Sequence, residues 1–128
     1  MAGDNPVYTE SFLAAGDLST LKDTFVKLSA ANTVTGAGAG EKGIGVLKNA
    51  PSAAGQACRI QHLGMCEVKA NGASPNIAAG DWLKVGALGV VVQSTTAKDI
   101  VVGIANRAAT ADGVLIEVLL LGPFTLNV

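Results

Sequence analysis

Charged side chains are scarce in this sequence. Nine Lys+Arg and ten Asp+Glu make up 15% of 128 residues, against about 25% in an average globular domain. The cations are scattered and form no basic cluster. Binding to nucleic acid or an anionic membrane needs several positioned cations, so neither partner is expected. Aromatic residues are equally few, at 4% with one Trp, which argues against a base-stacking or carbohydrate platform. Long apolar runs are missing too. The longest run of large apolar side chains, Val118-Leu119-Leu120-Leu121, is far short of the roughly 20 residues of a membrane-crossing helix. The opening Met1-Ala2-Gly3-Asp4-Asn5-Pro6 has no basic start or apolar stretch, so no secretory signal is expected.

Histidine occurs once and cysteine twice. His62, Cys58 and Cys66 do not form a recognisable metal-ligand set, and no metal or cofactor is expected. On one strand the two cysteines would lie about 26 Å apart at roughly 3.3 Å per residue. A disulfide needs Cα atoms within about 7 Å. Two buried thiols suit a protein made in a reducing cytoplasm.

What the chain does have is apolar and small. Hydrophobic residues make up 49%, mean hydropathy is +0.43, and sixteen glycines are present. So few charges leave part of the exterior apolar, and large apolar patches mark contact sites. The chain is expected to meet other protein.

The patterning is that of an all-β domain. Between residues 57 and 70, Cys58, Ile60, Gly64, Cys66, Val68 and Ala70 share one face, with His62 on it. Arg59, Gln61, Glu67 and Lys69 share the other, with Leu63 and Met65. A period of two marks a half-buried strand. Strands are expected near 25–29, 43–49, 57–70, 81–86, 89–95, 100–107 and 114–121, with a short one near 124–127. Asn71-Gly72, Ala79-Gly80-Asp81 and Asp112-Gly113 supply turns. Many short strands with Gly-rich turns argue for a small barrel or sandwich. Leu18, Leu21 and Phe25 fall at helical spacing, which predicts a short helix over residues 17–25.

Residues 44–64 also align without gaps on residues 102–122, at an offset of 58. Gly45 meets Gly103, Ala50 meets Ala108, Gly55 meets Gly113, and Gly64 meets Gly122. Upstream, Phe25-Val26-Lys27-Leu28 matches Trp82-Leu83-Lys84-Val85 at 57. This suggests a β unit used twice, as pseudo-repeats over about 25–68 and 82–126 closing together into one small barrel. Chance matching is the competing reading, because Ala and Gly are abundant. Residues 1–20 stand apart as an N-terminal arm, followed by a single β domain over residues 21–128.

Catalytic candidates are weak. His62 has no nucleophile or carboxylate beside it in sequence and is expected to be a hydrogen-bonded core or interface residue. Glu117, in an apolar run, is expected outward or at an interface. Gly38-Ala39-Gly40-Glu41-Lys42-Gly43 fits G-x-G-x-x-G, but Ile44-Gly45-Val46-Leu47 follows as a strand, whereas a dinucleotide loop opens a helix. No enzyme activity and no small-molecule substrate are expected.

Ala79-Gly80-Asp81-Trp82-Leu83-Lys84-Val85-Gly86, then Gly89-Val90-Val91-Val92, Val102-Gly103-Ile104-Ala105, Asp112-Gly113 and Val114-Leu115-Ile116-Glu117-Val118 form a pattern. Phe25-Val26-Lys27-Leu28, Ile44-Gly45-Val46-Leu47 and Ala54-Gly55-Gln56 extend it. Over about residues 22–122 this resembles the capsid decoration (cement) proteins of tailed bacteriophages. The resemblance implies a β-barrel or β-tulip-like domain on the capsid exterior of the virion. It implies the major capsid protein as partner, bridged and stabilised by a homotrimer, and it brings no catalytic or cofactor residue. Asn5, Pro6, Val7, Tyr8 and Phe12 are then expected to bind a partner as an extended arm by strand addition, with Tyr8 and Phe12 as anchors. A frayed, functionless terminus is the alternative. Two other readings stay open: another virion subunit (shell, tail or head fibre), and a ligand-binding barrel with a deep pocket of convergent polar groups.

Overall fold

The computed structural model describes the backbone of residues 5–125 and the side chains of residues 10–125. Nine strands form one hydrogen-bonded network. They are β1 (Asn5–Ala14), β2 (Phe25–Ala30), β3 (Thr33–Gly36), β4 (Gly45–Leu47) and β5 (Ala57–Asn71). The second half holds β6 (Trp82–Val85), β7 (Val91–Gln93), β8 (Ile100–Ala105) and β9 (Asp112–Thr125). The seven main strands expected from the sequence are present; of the short last one, residues 124–125 are the end of β9, and residues 126–127 lie outside the described residues. The strand over Thr33–Gly36 is additional, since four residues rich in Thr and Gly show little alternation.

The pairings close two five-stranded circuits that share β5. One runs β1-β3-β2-β4-β5 and returns to β1. The other is a closed barrel, β5-β7-β6-β8-β9 and back to β5. Both halves had been expected to close into one barrel. Instead each closes its own circuit, because the 15-residue β5 is about 50 Å long at roughly 3.3 Å per residue. Its first half pairs with β1 and β4, and its second half with β9 and β7. Closure satisfies edges that would otherwise template aggregation.

The two circuits use matching registers. Phe25↔Val46 and Val26↔Gly45 in the first correspond to Trp82↔Ile104 and Leu83↔Gly103 in the second. Val46↔Gln61 and Leu47↔Ile60 correspond to Ile104↔Leu119 and Ala105↔Val118. The parallel pair Ala14↔Val34 corresponds to Ala70↔Val91. Positive φ recurs at Asp23 and Gly80, Gly40 and Lys98, and Gly55 and Gly113. The loop before β4 and the loop before β8 carry the same polar clasp. Gly38 N–H donates to Glu41 Oε1 (2.6 Å), and Lys27 Nζ lies 2.6 Å from Glu41 Oε2. Likewise Thr96 N–H donates to Asp99 Oδ2 (3.2 Å), and Lys84 Nζ lies 3.2 Å from it.

Each circuit has its own apolar filling. Val26, Val34, Leu47, Cys58 and Ile60 fill the first, and Phe12 packs on them. Leu83, Val91, Ala105, Ile116 and Val118 fill the second. On β5, Cys58, Ile60, Gly64, Cys66, Val68 and Ala70 point inward as their alternation required. Gln61 keeps the face opposite Cys58 and Ile60 yet is buried, its amide donating to Leu63 O (3.1 Å) and Met65 O (2.9 Å).

Two expectations for the first 25 residues change. The helix over 17–25 is a series of turns. Asp17 Oδ1 accepts from Ser19 N–H, Leu18 N–H donates to Pro51 O, and Asp23 adopts φ 68°. Leu18 is buried by this tether rather than by a helical face. The segment expected to be an arm forms β1, antiparallel to β5 from Asn5↔Met65 to Leu13↔Ala57.

Close strand approach explains two glycines. A β-carbon on Gly45 would lie 2.6 Å from both Gln61 O and Ile60 Cγ2, and one on Gly103 would lie 2.7 Å from Val118 Cγ1 and 2.8 Å from Leu119 O. Gly45→Ala and Gly103→Ala are each expected to cost about 1–3 kcal/mol in urea unfolding, with Gly16→Ala, which meets nothing, close to neutral. The clasps give an acid-stability prediction. The Lys27 hydrogen bond holds Glu41 below the usual carboxylate pKa. Burial would raise Asp99, but hydrogen bonds from Ser94, Lys84 and Thr96 outweigh it and lower the pKa. Groups depressed on folding stabilise the protein above their unfolded pKa of about 4, and lose that contribution as pH falls through the folded value. Thermal melts between pH 7 and 2 are expected to show a steep acid loss, flattened in the Glu41→Gln/Asp99→Asn double variant.

Candidate functional site

The polar candidates are consumed by structure. His62 is half-buried, its Nδ1 2.8 Å from Ile44 O and its Nε2 3.7 Å from Glu10 Oε1. Phe12 meets the imidazole edge-on at 5.8 Å. The ring therefore ties β1, β5 and the approach to β4 together. Cys58 and Cys66 are buried free thiols, and burial pushes the Cys58 thiol pKa up, away from a reactive thiolate. Among the described residues no group of three His, Cys, Asp or Glu is placed to hold a metal.

Glu117, expected outward or at an interface, lies on the face of β9 opposite Ile116 and Val118 but is covered from within the chain. It is only 6% exposed, covered by Arg107, whose Nε lies 2.9 Å from Oε1, and by Asn106 Nδ2 at 3.2 Å. The Arg107 hydrogen bond, with that of Asn106, holds the carboxyl below its ordinary pKa despite burial. It is an ion-paired carboxylate, not a proton donor. The G-x-G-x-x-G stretch is the clasp loop of Gly38 and Glu41 and opens the strand β4 rather than a helix.

Two open grooves of about 250 and 300 Å³ flank Leu88. Leu21 lines both, and their walls are mostly apolar. Neither gathers the convergent polar groups expected of a substrate site.

The exterior is the distinctive feature. Leu13, Leu28, Leu63, Trp82, Leu88, Leu115, Leu119 and Phe124 are all exposed. Several are contiguous by register. Trp82 on β6 pairs with Ile104 on β8, Ile104 with Leu119 on β9, and Leu119 with Met65 on β5. This row crosses four adjacent strands, about 14 Å at roughly 4.8 Å per strand. Phe124 extends it, its ring edge-on to Trp82 at 5.5 Å. A contiguous apolar strip on a barrel exterior is suited to burial against protein.

This row is not legible in the local sequence. Trp82 and Leu119 are far apart in sequence and meet only through β8. The signal available was the alignment itself, which set Trp82 over the core residue Phe25. Of the residues assigned to an arm, Asn5, Pro6, Val7, Tyr8 and Phe12 all lie in β1. Phe12 packs on the core of the first circuit. The side chains of the other four lie outside the described residues.

No curated protein matches the sequence. Among solved structures, the chain is similar to the head fiber gp8.5 N base in bacteriophage phi29. The TM-score is 0.66 at 16% identity, over 91% of this chain and 97% of that one. At that identity the likeness is one of fold. The family model for phage cement proteins matches residues 6–120. An all-β chain with a closed barrel, an apolar exterior strip and polar groups tied up in structure is thereby placed: it belongs to the phage cement protein family.

Proposed function

We propose that this virion structural protein binds the outside of an assembled phage capsid and stabilises it by bridging neighbouring major capsid proteins. The exposed apolar surface carries the reading, since a chain with 15% charged residues and this much uncovered apolar area gains by burial against protein. Family membership supports it. The role requires no catalysis. A molecule that binds only the assembled shell stabilises that shell by mass action, and many modest contacts add up over a lattice. Self-association, as a homotrimer, presents several capsid contacts at once and raises avidity.

The reading assigns β1 to the capsid contact. Between Asn5 and Phe12 this strand is paired with β5 on one edge, while β3 meets it only at Leu13 and Ala14. The remaining edge of β1 can accept a strand of the capsid protein, with Asn5, Pro6, Val7 and Tyr8 alongside it. Phe12, turned into the first circuit, anchors the strand from within.

The test adds purified protein to phage heads assembled without it. Saturable binding outside the shell lattice in electron-microscopy maps, with a raised temperature of DNA release, is the expected outcome. Tyr8→Ala is expected to weaken occupancy about tenfold, the loss typical of an interface aromatic. Density confined to the tail, or no binding to heads, would overturn the capsid role.

A further inference from the structure

The matching registers allow the outer face of one circuit to be compared with that of the other. In the first circuit, Phe25 and Val46 sit on the opposite faces of their strands from the filling residues Val26 and Leu47. They nevertheless are buried, at 2% and 0% exposure, because they join the core of the second circuit. Phe25 and Val85 share that core. A β-carbon on Gly43 would lie 2.7 Å from Phe25 Cδ1 and 3.1 Å from Val85 Cγ2, so the two side chains close over the bare α-carbon of Gly43. Gly40 N–H donates to Val85 O (2.9 Å) and fixes the approach. Val85 follows Leu83 on the inner face of β6, at the mouth of the second circuit. The contact inside the chain is thus the outer row of one circuit seated on the mouth of the other.

Both halves of that contact recur at matching positions and are partly exposed, with Trp82 edge-on to Phe124 and the buried Val101 standing where the first circuit has Gly43. The counterpart of Phe25 is Trp82, 40% exposed, and that of Val46 is Ile104. The counterpart of the buried Gln61 is Leu119, 40% exposed. The counterpart of Val85 is Leu28, which follows Val26 on the inner face of β2 and is 51% exposed. Leu28 pairs with Val34 as Val85 pairs with Val91. One circuit therefore presents a partly exposed outer row and the other a partly exposed mouth.

We infer that a second copy of this chain fills each: the Trp82–Ile104–Leu119 row of one subunit seats on the Leu28 mouth of the next, repeating between chains the contact made within each chain. The contact is head-to-tail, so it uses two different patches per subunit and closes into a ring when the rotation permits. It names the self-association surface within the function proposed above and rests on that reading of the chain as an assembly protein. Binding to heads is scored separately, so its loss would count against the capsid role while leaving the self-contact to be judged by mass in solution.

The experiment uses full-length protein in sedimentation equilibrium. Wild type is expected to associate. Leu28→Lys and Leu119→Lys, both at exposed positions, are each expected to weaken association at least about tenfold, the cost of one desolvated contact worth about 1.4 kcal/mol. Far-UV circular dichroism and melting temperature check folding, and Leu28→Asn and Leu119→Asn replace any lysine variant that fails to fold. An equimolar mixture of the two variants decides the geometry. Each keeps one intact patch, complementary to the intact patch of the other, so the mixture is expected to form heterodimers and stop there. Trp82, the one tryptophan of the chain, is expected to emit further to the blue in associated protein than in either variant alone. A monomeric wild type, a variant that associates normally alone, or a mixture that stays monomeric would each overturn the inference.

Discussion

The main-chain hydrogen bonding of β5 is the constraint on which the rest of the molecule depends. A strand has two edges, and each backbone N–H and C=O buried along them needs a partner. Here both edges are occupied in succession, by β1 and β4 over the first half and by β9 and β7 over the second. The strand that completes one circuit therefore begins the other. Inward alternation of Cys58, Ile60, Cys66, Val68 and Ala70 gives each circuit its filling from one continuous face. A one-residue slip would put Glu67 and Lys69 into the core, so the register of this strand fixes both circuits together.

Small circuits have little interior, which explains the composition. Gly45 and Gly103 let neighbouring strands approach where any β-carbon would collide. Alanines such as Ala14, Ala70 and Ala105 fill the remaining narrow space. With large apolar residues in excess of what so small an interior holds, several fall on the outside. Phe25 and Val46 show one solution, burial against the other circuit of the same chain. Trp82, Leu119 and Phe124 are left for a different molecule to cover. Members of a cement protein family act in assemblies, where such a surface is an asset, and in a dispersed monomer it would be a liability. The charges that remain serve mainly to fasten loops, as in the Lys27–Glu41 and Lys84–Asp99 clasps and the Glu117–Arg107 pair.

Period-two alternation determined the all-β class and most strands, and it put the inner face of β5 at the right residues. Turn glycines such as Gly80 and Gly113 sit at positive φ, where only a residue without a β-carbon is free of strain. The scarcity of charge, read from composition alone, indicated a surface meant for protein. Tertiary structure decided the rest. Residues 17–25 carry helical spacing, yet tethers to Pro51 and the left-handed Asp23 hold them as turns. Glu117 lies in an apolar run and looks exposed by alternation, but Arg107, ten residues earlier, folds over it. Which apolar residues face solvent was likewise hidden. Phe25 and Trp82 occupy matching positions, and only the packing of one circuit on the other buries the first and leaves the second exposed. Local pattern reports which side of a strand a residue takes, while what lies against that side is set by chain segments far away in sequence.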